Sequence, residues 1–458
     1  MTFFFETYGC QMNHAESSAV KNLLRSRQWQ EASSADSADL VIINTCSVRI
    51  TAETRVVGRI AHFTACKRER DLTILVMGCM AERLHEEFMT RFPAVDYVVG
   101  MFERSRFEAI FSAIESRYSK GDPLEYIPSP DAAGGYRFFS NSLEEGAFQA
   151  YIPIMNGCNN FCSYCIVPYV RGREVSRDIT SILSDLDNLA ARGVREVTLL
   201  GQNVNSYRWQ DSLTGAMIDF PALLERIARH LDNTSGIKWV RFMSSHPKDL
   251  SDDVIAVIAR ERVFCRYIHL PVQSGSNRIL GEMNRRYTRE HYLSLVDRIR
   301  TAIPEVTIST DILVGFPGET EEDQQQTLNL VETVGYDAAF MYHYNPREGT
   351  KAFDMPNWIS EPVKKARLDQ VIRLQHSLAA QRMRSRVGSE PIALIESTSR
   401  NNPDELFGHT EFGDMVVFAS PADHALIGRF VRVQLTLLRG RTFRAKIVEI
   451  EPEVAERR

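Results

Sequence analysis

Short apolar runs alternate with amphipathic stretches along most of this chain. Thr2–Tyr8, Leu40–Asn44 and Thr73–Met77 have strand length and composition, and Glu16–Trp29 and Thr51–Arg70 between them have helical spacing and charge. The alternation predicts an α/β unit whose strands run parallel. A longer βα series follows. Ala150–Met155, Glu196–Leu200, Trp239–Met243, Tyr267–Leu270, Thr307–Val314 and Ala338–Tyr344 read as strands, with amphipathic segments such as Thr180–Arg192 and Arg289–Thr301 among them. Six such repeats predict an open, partial (β/α)6 barrel, a fold that works at the carboxyl ends of its strands. Helical Glu361–Arg386 then leads into Ile392–Glu396, Met415–Phe418, Phe430–Leu437 and Thr442–Ile450. These runs, separated by Gly, Pro and Asn turns, predict a small β-barrel or sandwich. Roughly 114–150 is richer in Pro, Gly, Ser and charge. The fold class is therefore α/β, divided into an N-terminal parallel-sheet domain (1–115), a linker (116–143), the partial barrel (144–380) and a C-terminal β module (381–452).

At 458 residues the chain has room for several domains and a large core. A hydrophobic content of 44% with 25% charged residues is that of an ordinary soluble protein. No apolar run nears the length of a membrane span, and the start, Met1-Thr-Phe-Phe-Phe-Glu6, lacks the basic region that opens a signal peptide. Eight cysteines, mostly in motif-like settings, suit a reducing cytoplasm better than a disulfide framework. The net charge of −5 argues against a surface that coats nucleic acid wholesale, so any RNA contact must come from local patches. One such patch holds Arg429, Arg432, Arg439, Arg441, Arg444 and Lys446 with no acid between them. It reads either as a solvated strand face or as a phosphate-binding surface. Arg171, Arg173, Arg285 and Arg286 are further candidates for RNA contact.

The most informative chemistry lies in Cys158, Cys162 and Cys165. Their C-x3-C-x2-C spacing lets three thiolates hold three irons of a four-iron cluster and leaves the fourth iron open to a substrate or cosubstrate. Zinc is the alternative, but it usually asks for paired knuckles and four protein ligands, and no second pair follows. Thiols this closely spaced cannot satisfy disulfide geometry together. A second group is spread along the N-terminal unit: Cys10, Cys46 and Cys79 each come directly after one of its three strands. Ligands gather at the carboxyl edge of a parallel sheet, so these thiols can converge on one object; taken singly, each reads as a core cysteine. Cys66 and Cys265 fit neither pattern and read as structural thiols. In the second βα series, polar residues also follow the strands: Gln202-Asn203, Ser244-Ser245-His246, Gln273-Ser274 and Gly315–Glu319. Each could be a cap or turn; their recurrence favours a pocket.

The run Gly-Cys-Asn-Asn-Phe-Cys-Ser-Tyr-Cys resembles the signature of the radical S-adenosylmethionine (SAM) enzymes, with Tyr164 as the aromatic residue before the third cysteine. Together with Thr-Tyr-Gly-Cys-Gln-Met-Asn, Cys-Ile-Val-Pro-Tyr-Val-Arg-Gly-Arg-Glu, Gly-Gln-Asn-Val-Asn-Ser-Tyr and Leu-Pro-Val-Gln-Ser-Gly-Ser, it is similar to the methylthiotransferases among them, and most to their MiaB branch. The likeness covers nearly the whole chain and makes the C-terminal module TRAM-like, a small RNA-associated β-barrel. It implies two 4Fe–4S clusters, one on Cys158, Cys162 and Cys165 that cleaves SAM, the other on Cys10, Cys46 and Cys79 that supplies sulfur. The radical would take hydrogen from C2 of N6-isopentenyladenosine at position 37 of tRNA, and a second SAM would give the methyl group. Candidate SAM contacts are Tyr164, Gln202, Asn203, Ser244, Gln273 and Ser274. The base must leave its stack, which the single-stranded anticodon loop permits. An electron donor such as a flavodoxin or ferredoxin is implied, and a cytoplasmic monomer is expected. Rival expectations are the same chemistry on threonylcarbamoyladenosine or on a ribosomal-protein aspartate, and a non-catalytic, metal-stabilised RNA-binding protein.

Overall fold

The computed structural model describes residues 1–48, 50–128, 136–139, 147–211, 214–232, 236–400, 402–418 and 424–452. Its N-terminal sheet holds five parallel strands: β1 (Thr2–Thr7), β2 (Gln30–Glu31), β3 (Leu40–Thr45), β4 (Thr73–Gly78) and β5 (Tyr97–Val99), in the order β2-β1-β3-β4-β5. Every residue of β3 and β4 is buried, which is why both read as unbroken apolar runs rather than alternating ones. Helices Gln11–Ser26, Ile50–Glu69 and Phe107–Lys120 join the sheet through two apolar clusters. The order reverses between β1 and β3, so the carboxyl ends there open a crevice of the kind that binds ligands in such sheets. The helix Phe107–Lys120 runs past residue 116, where the linker was expected to begin, because Phe107, Ile110, Phe111 and Ile114 bury one face of it. Residues 129–135 and 140–143 of that linker lie outside the described residues.

Six parallel strands follow in chain order: Gln149–Pro153, Glu196–Leu200 and Trp239–Phe242, then Tyr267–His269, Thr307–Val314 and Ala338–His343. A single parallel bridge between Val240 and Phe264 links the two halves. Among the described residues the sheet does not close, as an open partial barrel requires. The expected strand Ala150–Met155 breaks at Ile154, and Met155–Asn156 pairs instead with Val175–Ser176. Residues such as Ile152, Val197, Leu199, Val240 and Ile312 face the surrounding helices in one large core, so their alternate neighbours line the barrel interior.

The 25-residue helix Glu361–Ser385 leads to a closed five-stranded barrel. Its strands are Ile392–Ser399, Asn402–Thr410, Met415–Phe418, Phe430–Arg439 and Thr442–Ile450. The second of these reads in sequence as turns, because Asn402, Pro403 and Asp404 open it; its buried Leu406, Gly408 and Thr410 carry the alternation. The barrel docks at the amino ends of the core strands. There Arg241 donates to the Thr410 and Glu411 carbonyls at 3.0 Å each, and Trp239 packs edge-on against Phe430.

Candidate functional site

The N-terminal cysteines arrive on a braced edge. Cys10 caps the helix Gln11–Ser26, Cys46 follows β3, and Cys79 opens the helix Cys79–Arg83 directly after β4. Asn13 explains the motif around Cys10. Its buried amide donates to Asn44 Oδ1 at 3.0 Å and to the Thr45 carbonyl at 2.9 Å, fastening the first loop to the second. Gly9 has φ +140, and a Cβ there would sit 3.0 Å from Cys46 Cβ. Gly78, at φ +97, would drive a Cβ to 2.6 Å from the Thr45 carbonyl oxygen. Both glycines precede a cysteine, and both are required for the backbones to approach so closely. Burial pushes the Cys79 thiol up to about 12, although Arg171 pulls the other way; Cys46 and Cys10 lie near enough to act on it too.

The second group sits in the loop after Met155–Asn156. Cys158, Cys162 and Cys165 act on one another electrostatically, and burial pushes Cys158 up to about 11 and Cys165 up to about 12. Buried Arg285 places Nη1 3.4 Å from Cys162 Sγ, and its other nitrogens reach Tyr287 Oη at 3.0 Å and the Pro271 carbonyl at 2.8 Å. Thiols give up their protons on binding iron, and a fixed cation stands beside one of these three sulfurs. Among the described residues, no three Cys, His, Asp or Glu side chains are gathered as one shared metal ion would require. Three thiols on three different irons stand wider apart than ligands of a single ion. The donor set, three neighbouring thiols sheltered from water with a cation at one of them, fits a four-iron cluster.

The N-terminal group lies against the core. Cys10 packs with Tyr151, Leu200 and Met243, on or just beyond the core strands, while Cys79 shares a buried cluster with Ile166 and Val170, just beyond Cys165. Charge joins the domains as well. Glu16 takes Arg104 at 2.6 Å from its own domain and Arg171 at 2.9 Å from the core, all three buried. Burial alone would raise the Glu16 carboxyl, but the two guanidinium groups hold it below the ordinary carboxylate range. Arg347 reaches across as well, donating to the Val48 carbonyl at 2.9 Å.

The expected SAM contacts fare unevenly. Tyr164 lies in an apolar cluster with Ile279, Met283, Phe316 and Tyr344. Gln202 accepts from the Gly157 amide at 2.6 Å, which ties it to the cysteine loop. Asn203 is engaged with Asp249 at 2.7 Å and the His246 amide at 3.3 Å, and the Ser274 hydroxyl with Thr327 at 3.3 Å, so both brace turns. Ser244 and Gln273 stand at φ +70 and +71 at the ends of two core strands. With Phe161, Asn284 and Arg286, also in the left-handed region, they place backbone strain around the cysteine loop. Asn284 donates to the Phe161 carbonyl at 2.9 Å. Such strain collects at functional sites.

Arg171 and Arg285, expected as RNA contacts, are buried inside the protein; Arg173 and Arg286 are exposed. The place of Arg285 beside Cys162, and Glu16 altogether, escape the sequence because no local spacing marks them. A lone Arg or Glu gains meaning only from what the fold sets beside it. Glu319, flagged only as part of a strand-end turn, accepts from the Gly315 amide at 2.9 Å and Arg367 at 2.8 Å, pinning that turn to the long helix. Cys66 and Cys265 lie outside both groups, Cys265 in the contact between core and C-terminal barrel.

Comparison with known proteins covers all three parts. Residues 2–100 match the uncharacterized protein family UPF0004, 152–331 the radical SAM superfamily and 384–448 the TRAM domain. The chain is 56% identical to the tRNA-2-methylthio-N(6)-dimethylallyladenosine synthase of Treponema pallidum (strain Nichols), over 98% of this chain and 99% of that one. It is 42% identical to the protein of the same name from Bacteroides thetaiotaomicron, over 94% and 93%. Among solved structures, the radical SAM methyltransferase TsrM from Kitasatospora setae, with cobalamin and a 4Fe-4S cluster bound, matches with a TM-score of 0.54. At 17% identity over 77% of each chain, that likeness speaks for the fold alone.

Proposed function

The chain belongs to the radical SAM methylthiotransferases, in the tRNA-2-methylthio-N(6)-dimethylallyladenosine synthase family, and we propose that it methylthiolates C2 of N6-dimethylallyladenosine at position 37 of tRNA. Membership implies a 4Fe–4S cluster and SAM, and the loop of Cys158, Cys162 and Cys165 is where we assign that cluster. Bound there, a cluster with an open iron supplies the electron that splits SAM and so the radical that removes hydrogen from carbon. Cys10, Cys46 and Cys79 would hold a second cluster, which would supply the sulfur.

The observation that supports this reading is the packing of Cys10 and Cys79 against core residues on or next to the strand ends and the cysteine loop. Tyr151, Leu200 and Met243 meet Cys10 on one side, and Leu313 meets Tyr164 beside Cys165 on the other. A flat base held between them has both groups within reach while packed domains exclude water. Arg285 compensates negative charge at Cys162, and Arg171 does the same near Cys79 and Cys10. Gln202 and the strained Ser244 and Gln273 remain the candidates for holding SAM. An acidic one-electron carrier such as a flavodoxin or ferredoxin would approach the exposed Arg173 and Arg286 flanking the cysteine loop.

The deciding experiment is mass spectrometry of tRNA nucleosides from cells lacking this protein, with and without its return. Restoration of the 2-methylthio form of dimethylallyladenosine is expected. Restoration of methylthiolated threonylcarbamoyladenosine instead would assign it the rival substrate.

A further inference from the structure

The inner face of the partial barrel carries an apolar wall that nothing in the cluster chemistry uses. Along Ala338–His343, Ala339 and Met341 pack outward onto the main core, so Phe340 and Tyr342 point inward. They are 45% and 42% exposed, large for aromatic side chains inside a barrel. The next residue on that side, Tyr344, is buried with Tyr164 and Phe316 next to the cysteine loop. The wall therefore runs directly up to the site.

The polar groups around it are already committed. His269 stands edge-on to Phe340 with ring centroids 5.7 Å apart, its Nδ1 3.0 Å from Ser309 Oγ and its Nε2 3.6 Å from Asp311. Arg241, the arginine on this inner face, is held by Glu196 at 3.0 Å. What faces the interior beside the wall is the partly exposed carboxylate of Asp311. That surroundings suits an apolar group and disfavours an anionic one.

Adenine chemistry says what arrives there. C2 and C6 flank N1 on the same edge of the base, so a base that presents C2 for reaction carries its N6 substituent into the interior beside it. We propose that Phe340 and Tyr342 receive the N6-dimethylallyl group of the substrate adenine. They thereby make the protein select prenylated adenosine over bare adenosine and over a carboxylate-bearing threonylcarbamoyl one. This inference rests on the functional reading above.

The test uses the full-length, anaerobically reconstituted protein and three anticodon stem-loop RNAs bearing dimethylallyl, no group or threonylcarbamoyl at the target adenosine. Few-carbon differences in apolar pockets are worth roughly 10- to 200-fold. The parent should accordingly bind the prenylated loop at least about tenfold more tightly than the bare one. Phe340→Ala and Tyr342→Ala should each weaken the prenylated loop alone and draw that ratio toward one, whereas Phe340→Leu keeps it. Phe340→Arg should gain affinity for the threonylcarbamoyl loop, a gain that misfolding cannot imitate. Iron content and melting temperature equal to the parent's certify the Ala variants. An unchanged ratio in these variants, or equal weakening of all three RNAs, overturns the inference and leaves the functional reading standing. A parent that makes no 2-methylthio product from the prenylated loop overturns that reading, and this inference with it.

Discussion

Cys158, Cys162 and Cys165 fall within eight consecutive positions of one loop, whereas Cys10, Cys46 and Cys79 come from three strand ends up to 69 positions apart. The first group depends on its own turn and on one guest, Arg285, at 3.4 Å from Cys162. The second exists only because β1, β3 and β4 lie side by side, and because Asn13, Asn44 and two left-handed glycines let their loops touch. A site made by one loop is robust to distant change; a site assembled by a sheet inherits every weakness of that sheet.

Two triple substitutions probe this contrast most strongly. Replacing Cys158, Cys162 and Cys165 by Ala should abolish SAM cleavage and lower iron from about eight to about four per chain, as expected of two four-iron clusters. An undiminished iron count would remove these residues from the ligand set. Replacing Cys10, Cys46 and Cys79 by Ala should also halve the iron, yet leave SAM cleavage running while no 2-methylthio product forms. Product from this variant would sink the sulfur-delivery role.

Next in size is the charge that fastens the two groups together. Glu16 is buried between Arg104 and Arg171, and removing one member of a buried network strands the others without a partner. Glu16→Ala should destabilise the fold by about 3–5 kcal/mol in chemical denaturation. Iron bound by the assembled N-terminal site should suffer more than iron in the loop. Equal loss from both sites would show that they are not independent.

A smaller, pH-dependent effect belongs to the contact between core and C-terminal barrel. His409 sits between Glu196, at 2.6 Å, and Glu396. Burial opposes its charge, but these carboxylates outweigh it and hold the imidazole up to about 9. A folded pKa above the ordinary 6.5 contributes stability that is complete below 6.5 and fades as pH rises through about 9. Hydrogen exchange of the barrel strands should therefore quicken across that window, and His409→Gln should flatten the trend. Both cysteine groups lie at the opposite strand ends, so their iron content should not follow it.

The strands around the cysteines could be read because a buried parallel strand is a plain apolar run, and β3 and β4 are buried throughout. The loop cysteines were legible through spacing and the sheet cysteines through their repeated place after a strand. Arg171 and Arg285 were misjudged for a physical reason. In sequence an arginine looks like a surface cation, and only the fold reveals a buried carboxylate or thiol that compensates it. Asn402–Thr410 was hidden by its Asn-Pro-Asp opening, which is turn chemistry at the end of a strand. Phe340 and Tyr342 read simply as strand residues; that they face an open interior follows from the barrel's failure to close.

The smallest expected effect concerns the basic residues of the C-terminal barrel, which should leave both cysteine groups untouched. The structure divides that strip. Arg444 is paired with Glu405 at 2.6 Å and Arg432 with Glu451 at 3.2 Å, while Arg439 and Arg441 stand exposed at the tip of the last hairpin and Lys446 stands exposed midway along its second strand. Deleting the whole barrel would be a poor probe, because it strips partners from Arg241, Glu196 and Trp239 in the core. Replacing Arg439, Arg441 and Lys446 by Gln removes charge and keeps that contact. If these three side chains hold tRNA phosphates, affinity should fall for every substrate tRNA alike, and the slope of log affinity against log salt should flatten by roughly 2–3, since each phosphate contact releases a little under one counterion. Iron content and the preference for a prenylated base should not change, because neither is read by phosphate. An unaltered salt slope would assign these three side chains to the solvated surface and turn attention to the exposed Arg173 and Arg286 as candidates for holding the RNA backbone.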